Sequence, residues 1–170
     1  MSIINVVGAK IWGGGEQYVY DICKQLQQRH RTAYILVDQS NEDMQSRYAQ
    51  VGHVMTANLY TLKGFLSVNA VAKQMKEQGI NTIVCHSGKY ILFCIALKQL
   101  TGAKLVFIKH NLVPGKTDIY HRWINAQVDA FVCVSKLVYD DLMTPAIKDT
   151  SKYHVVYNGI DPNRFQSFSD

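Results

Sequence analysis

Apolar positions follow two rhythms along the chain, and the rhythms alternate. Short, nearly continuous runs are bounded by polar residues or glycine: Ile3-Ile4-Asn5-Val6-Val7, then Ala33 to Val37, Thr82 to Cys85, Leu105 to Ile108 and Ala130 to Val134. Strands covered on both faces have this character, which favours a parallel sheet under helices. Between the runs, apolar residues recur at helical spacing. Val19, Ile22, Cys23 and Leu26 form one such set, Val68, Val71, Ala72 and Met75 a second ending at Gly79, and Val138 and Leu142 a third stopped by Pro145. Tyr90 to Leu100 is apolar almost all round and predicts a well-buried helix closed by Gly102. The pattern further predicts a helix over Glu42 to Gln50, a short strand at His53 to Met55, and a helix from Thr117 to Gln127 with Tyr120, Trp123 and Ile124 on a core face. A last strand over Tyr153 to Tyr157 is followed by a turn at Asn158-Gly159-Ile160-Asp161-Pro162.

This alternation predicts an α/β fold: a doubly wound, mostly parallel sheet with helices on both faces. There is no internal repeat, and 170 residues suit one domain, read as 1–157 with 158–170 leading out of it. In such sheets ligands sit outside the carboxyl ends of the strands. Four features directly follow strands: the loop Trp12-Gly13-Gly14-Gly15-Glu16, His86, His110 and Ser135. All four are therefore expected along one rim.

The three glycines leave bare backbone at the start of a helix whose dipole is positive there, a place where an anion can be held. The loop is neither the dinucleotide fingerprint nor a P-loop, since no G-x-G-x-x-G can be laid over it and no G-K-[ST] follows. It reads equally as a flexible connection. His86 is compatible with a buried structural histidine and with a ligand. His110, beside Asn111 on a loop broken by Pro114 and Gly115, reads as a site side chain.

Composition narrows the class. With 48% apolar and 18% charged residues, no apolar run of membrane-span length and no basic and apolar leader, the chain is expected in the cytoplasm. Cys23, Cys85, Cys94 and Cys133 lack C-x-x-C spacing and are expected as buried free thiols. The net charge of +5 is scattered, which argues against nucleic acid and leaves an anionic ligand or membrane surface open. Leu62, Phe65 and Leu66 with Lys63, Lys73 and Lys76 fit a membrane-surface helix, and fit an ordinary amphipathic helix as well. No metal is predicted: Asp140-Asp141 lies within a helix without a D-x-D arrangement, and no H-E-x-x-H or Cys/His cluster exists. Ser87 and Ser135 lack the G-x-S-x-G elbow of a serine nucleophile.

Taken in order, Gly13-Gly14-Gly15-Glu16, His86, His110-Asn111, Val134-Ser135-Lys136 and Asn158-Gly159-Ile160-Asp161 before Arg164-Phe165 resemble the N-terminal half of family-four retaining glycosyltransferases, enzymes of two facing Rossmann-like domains with the GT-B fold. The resemblance implies a domain that holds a glycan or lipid-linked acceptor. It implies that the amides of Gly13, Gly14 and Gly15 approach the diphosphate of a nucleotide-sugar, and that His110 sits by the transferred sugar. His86, Asn111 and Ser135 would then contact acceptor or sugar, and Glu16 would stabilise the start of its helix. No cofactor is implied beyond the nucleotide-sugar co-substrate. The implied partner is a C-terminal donor domain, with peripheral contact at the inner membrane face open. The family's pair of Glu separated by seven residues cannot be placed, because the only Glu are Glu16, Glu42 and Glu77. The chain is therefore expected to be half of a cleft, inactive alone.

Two other readings remain. One is a non-catalytic Rossmann-like module binding a phosphorylated small molecule or a partner protein. The other, a flavodoxin-like redox or signalling domain, is poorer because Gly8, Ala9 and Lys10 supply no acid after the first strand.

Overall fold

Seven strands form one sheet in the computed structural model, which describes residues 2–60, 64–143 and 150–159. In chain order they are β1 (Ile3–Val7), β2 (Tyr34–Asp38), β3 (His53–Ala57), β4 (Thr82–Cys85), β5 (Lys104–Lys109), β6 (Ala130–Cys133) and β7 (Tyr153–Val155). Every neighbouring pair is parallel, and the spatial order is β3-β2-β1-β4-β5-β6-β7. The helices are α1 (Gly14–Gln28), α2 (Glu42–Tyr48), α3 (Gly64–Glu77), α4 (Ile91–Thr101), α5 (Ile119–Gln127) and α6 (Lys136–Leu142), with a 3-10 turn over Gly88–Tyr90 before α4. The doubly wound parallel fold read from the sequence is the fold observed.

Two cores sandwich the sheet. Val7, Ile35 and Val37 pack with Val19 and Cys23 of α1 and Met44 and Tyr48 of α2 on one face. Ile4, Val6, Leu36, Ile83 and Leu105 pack with Met75 of α3 and Phe93, Cys94 and Leu97 of α4 on the other. Alternation along each strand feeds both layers, which is why the strands lack polar faces. All four cysteines are buried free thiols. Among the described residues no helix is long and apolar enough to cross a membrane.

The chain builds outward from β1 to β3, then crosses back along α3 to place β4 on the other side of β1. The strand order thus reverses between β1 and β4, the position at which such sheets hold their ligands. Gly8 ends β1 there. A Cβ on it would come within 2.8 Å of the Tyr60 hydroxyl and 2.9 Å of Tyr90 Cε1, so only a bare backbone lets these rings close over the strand end.

Several predicted details differ. α5 turns inward a stripe of His121, Ile124, Asn125 and Val128, rotated roughly a quarter turn from the face expected. Tyr120 and Trp123, read as core, are 50% and 49% exposed, and Tyr120 lies at the cleft edge. β7 stops at Val155, and Val156 and Tyr157 stand open. Of the candidate membrane-facing group, Leu62 and Lys63 lie outside the described residues. Leu66 is 82% exposed, and Lys73 is outward and paired with Glu77. Pro145 and the 160–165 end of the outgoing turn also lie outside.

Asp38, at the end of β2, holds the next loop in place. Its carboxylate accepts from the Ser40 amide at 3.0 Å, the Ser40 hydroxyl at 2.5 Å and the Leu59 amide at 2.9 Å. Burial alone would raise its pKa, but the Ser40 and Leu59 donors and the charge of Lys10 outweigh it and hold the carboxyl below its ordinary value. The stabilisation is present above the usual carboxylate range and lost as pH falls through the lowered value. Asp38→Ala should cost about 2–3 kcal/mol in urea unfolding at neutral pH, and less of that difference should survive at acid pH.

Candidate functional site

The rim above β1, β4 and β5 gathers three of the sequence-selected elements. α1 begins at Gly14, and its cap at Gly13 is extended, with the Gly13 amide donating to Glu16 Oε2 at 3.1 Å. Glu16 therefore closes the helix start, where negative charge is favoured, and engages one of the three glycine amides. The amides of Gly14 and Gly15 belong to the first turn, where no intrahelical acceptor exists. A Cβ on Gly14 would meet nothing within 4 Å, so its outer side is open. A Cβ on Gly15 would lie 3.8 Å from the His110 ring.

His86 and His110 leave the ends of β4 and β5 side by side. His86 Nδ1 is 3.0 Å from His110 Nε2, and His86 Nε2 is 3.1 Å from Asn5 Oδ1. Tyr18, one turn into α1, sets its ring edge-on to His110 with centroids 5.2 Å apart and flanks His86 at 6.3 Å. Burial, with the neighbouring His110 adding to it, pushes His86 down to about 3, so the ring is neutral at physiological pH. Burial also lowers His110 below the ordinary histidine value and raises Tyr18.

Beside the histidines lies a cleft of about 330 Å³, lined by His86, His110, Asn111, Lys109, Lys116 and Tyr120 among others. Lys109, at the end of β5, is half-buried. Desolvation lowers its pKa, while the charges of Cys133 and Asp141 act the other way. Among the described residues that line it none is Asp or Glu, and Lys109, Lys116, His86, His110 and His121 make this wall basic and imidazole-bearing. Asn111 is exposed on the cleft loop.

Ser135 follows β6 on the same rim but stands apart from this cluster. Its hydroxyl oxygen accepts from the Val138 amide at 3.2 Å as the N-cap of α6, and it does not line the cleft. Among the described residues no group of three His, Cys, Asp or Glu is placed to hold a metal ion.

Asn5, Tyr18, Lys109 and Lys116 were not singled out from the sequence. Asn5 had a legible signal: it is the one polar residue inside an apolar strand, and a buried polar side chain is the informative exception. Tyr18 and the two lysines carried none.

No curated protein matches the chain in sequence. Among solved structures, a glycosyltransferase from Rickettsia africae superposes with a TM-score of 0.79 at 17% identity, over 98% of this chain and 48% of that one. Anabaena HepE in complex with UDP-glucose matches with a TM-score of 0.73 at 19% identity, over 96% of this chain and 45% of that one. Acinetobacter baumannii MurG matches with a TM-score of 0.65 at 12% identity, over 99% and 49%. The chain spans about half the length of these structures, and at such identities the likeness shows the fold: one Rossmann-like domain of the GT-B architecture. The model of glycosyltransferase family 4 matches residues 12–164, nearly the whole chain, including the glycine loop, His86 and His110, so the chain belongs to glycosyltransferase family 4.

Proposed function

We propose that the chain is the acceptor-binding domain of a retaining glycosyltransferase that moves a sugar from a nucleotide-sugar to a glycan or lipid-linked acceptor across a cleft completed by a second, C-terminal domain. The observation that carries this reading is the rim beside the strand-order reversal: the open outer side of Gly14, His110 within contact of Gly15, and a cleft of about 330 Å³ that His110 lines. HepE, half of which this domain resembles, binds UDP-glucose, which supports a nucleotide-sugar as the donor here.

In this reading the Gly14 and Gly15 amides face the donor diphosphate and stabilise the charge that grows as the sugar leaves. His110 positions the sugar, and the acceptor enters along His86, Asn111 and the basic wall of Lys109 and Lys116. The domain's contribution in this reading is orientation and electrostatics. In this reading the enzyme is cytoplasmic, with peripheral access to a membrane-borne acceptor.

The test is a titration of the 170-residue chain with UDP-glucose, a second nucleotide-sugar and candidate acceptors, alongside a transfer assay. Weak acceptor binding and no measurable transfer are expected, because half of the phosphate and sugar contacts are missing. Transfer by this chain alone would overturn the need for a second domain. Tight nucleotide binding without transfer would favour a free-standing binding module.

A further inference from the structure

We propose that Asn5 and His86 are positioning residues that fix the tautomer of His110, placing its proton on Nε2 and leaving Nδ1 as a bare hydrogen-bond acceptor for a substrate hydroxyl. Its meaning for sugar binding rests on the reading above, whereas the proton arrangement itself does not.

The argument starts at the buried end. Asn5 is 4% exposed in the middle of β1, on the face that packs against α1. Its amide nitrogen is turned to Cys23 Sγ at 4.0 Å, which leaves Oδ1 for His86. A carbonyl oxygen can only accept, so His86 Nε2 carries the proton across the 3.1 Å contact. A neutral imidazole has one proton, so His86 Nδ1 is then a lone pair. His110 Nε2, 3.0 Å away, has to be the donor to it. His110, neutral in turn, is left with an unprotonated Nδ1, which has no hydrogen-bond partner among the described residues.

Electrostatics favours this neutral chain over a charged one. Burial keeps His86 from protonating, and the groups facing the pair do not reverse this. Tyr18 of α1 stays a neutral phenol, and burial pushes the Cys23 thiol up to about 12, so neither supplies a negative charge. The two links share the His86 ring, and a neutral ring carries one proton, so reversing one link requires reversing the other.

A side chain in this state can accept a hydrogen bond from a hydroxyl and cannot donate one to a phosphate oxygen. His110 would therefore read a sugar hydroxyl. The diphosphate would be left to the Gly14 and Gly15 amides.

The experiment is long-range ¹⁵N–¹H NMR on the chain labelled at its six histidines, at about pH 7 where the ordinary imidazole is mostly neutral. His86 and His110 should both show a protonated Nε2 and an unprotonated Nδ1. In Asn5→Asp a carboxylate faces the His86 Nε2–H, and in spectra of this variant followed from about pH 7 into acid His86 should titrate at least about one pKa unit higher. Once His86 is charged its Nδ1 donates, His110 Nε2 has to accept, and the His110 proton should move to Nδ1. A proton on Nδ1 of His110 in the unmodified chain would overturn the proposal, and so would an Asn5→Asp spectrum in which His110 keeps its tautomer while His86 is charged. Should Asn5→Asp fail to fold, the unmodified chain still decides. Because no sugar is present, these spectra stand or fall separately from the transfer assay.

Discussion

Turnover should fall by about 10²–10³ when Gly14 is replaced by Trp in an enzyme containing this domain and its second lobe, with the fold left intact. The two halves of that expectation have separate causes. The fold survives because a Cβ on Gly14 meets no atom within 4 Å, so a large side chain can extend outward without displacing the core. Turnover falls because the same open side is where the donor diphosphate would approach. An indole there holds the phosphate off the first-turn amides, and hydrogen bonds made to charge developing in the transition state are lost steeply with distance. Circular dichroism and urea unfolding should match the parent protein while kcat drops. Gly15→Ala makes a useful partner. Its Cβ would sit in ordinary contact 3.8 Å from the His110 ring, so a smaller loss is expected. Unchanged kcat in Gly14→Trp would remove the glycine loop from the reacting centre.

The framework was legible because parallel strands covered on both faces leave a strong imprint. Thr82 to Cys85 was bounded correctly, since Asn81 and His86 interrupt a short apolar run at both ends. The rim was legible for a related reason: strand order fixes where chain ends emerge, so Gly15, His86 and His110 were brought together without any local motif. Long-range packing was not legible. Tyr120 and Trp123 look like core by residue type, yet the stripe of α5 that turns inward is set by tertiary packing, α4 being a neighbour, which residue type does not reveal. Ser135 lies on the expected rim, but its hydroxyl is drawn to the α6 amides, a competition between cap and site that spacing does not resolve. Asn5 bonds to a residue 81 positions away, and no local window contains both.

Acid should destabilise the domain well before its carboxylates titrate, and His86 should be the main cause. The unfolded ring takes up a proton near 6.5, whereas in the folded domain burial and the adjacent His110 hold His86 down to about 3. Between these values the unfolded state binds more protons, so stability rises with pH there. It is complete above about pH 6.5 and is lost as pH falls toward the folded value. At about 1.4 kcal/mol per pH unit, acidification from pH 6.5 to 4.5 should remove about 2–3 kcal/mol. Asp38 and Asp129, whose carboxyls are held below their ordinary values, act only below about pH 4 and leave this window clear. His110, lowered in the same direction, adds to the slope. Urea unfolding at half-unit steps should therefore show a steep limb in the parent chain and a flatter one in His86→Gln. The comparison rests on slopes, so the hydrogen bonds to Asn5 and His110 that the variant loses shift its whole curve without mimicking the effect. An equally steep limb in His86→Gln would mean that the ring is not held neutral by its site, and the proton chain from Asn5 to His110 would lose its anchor.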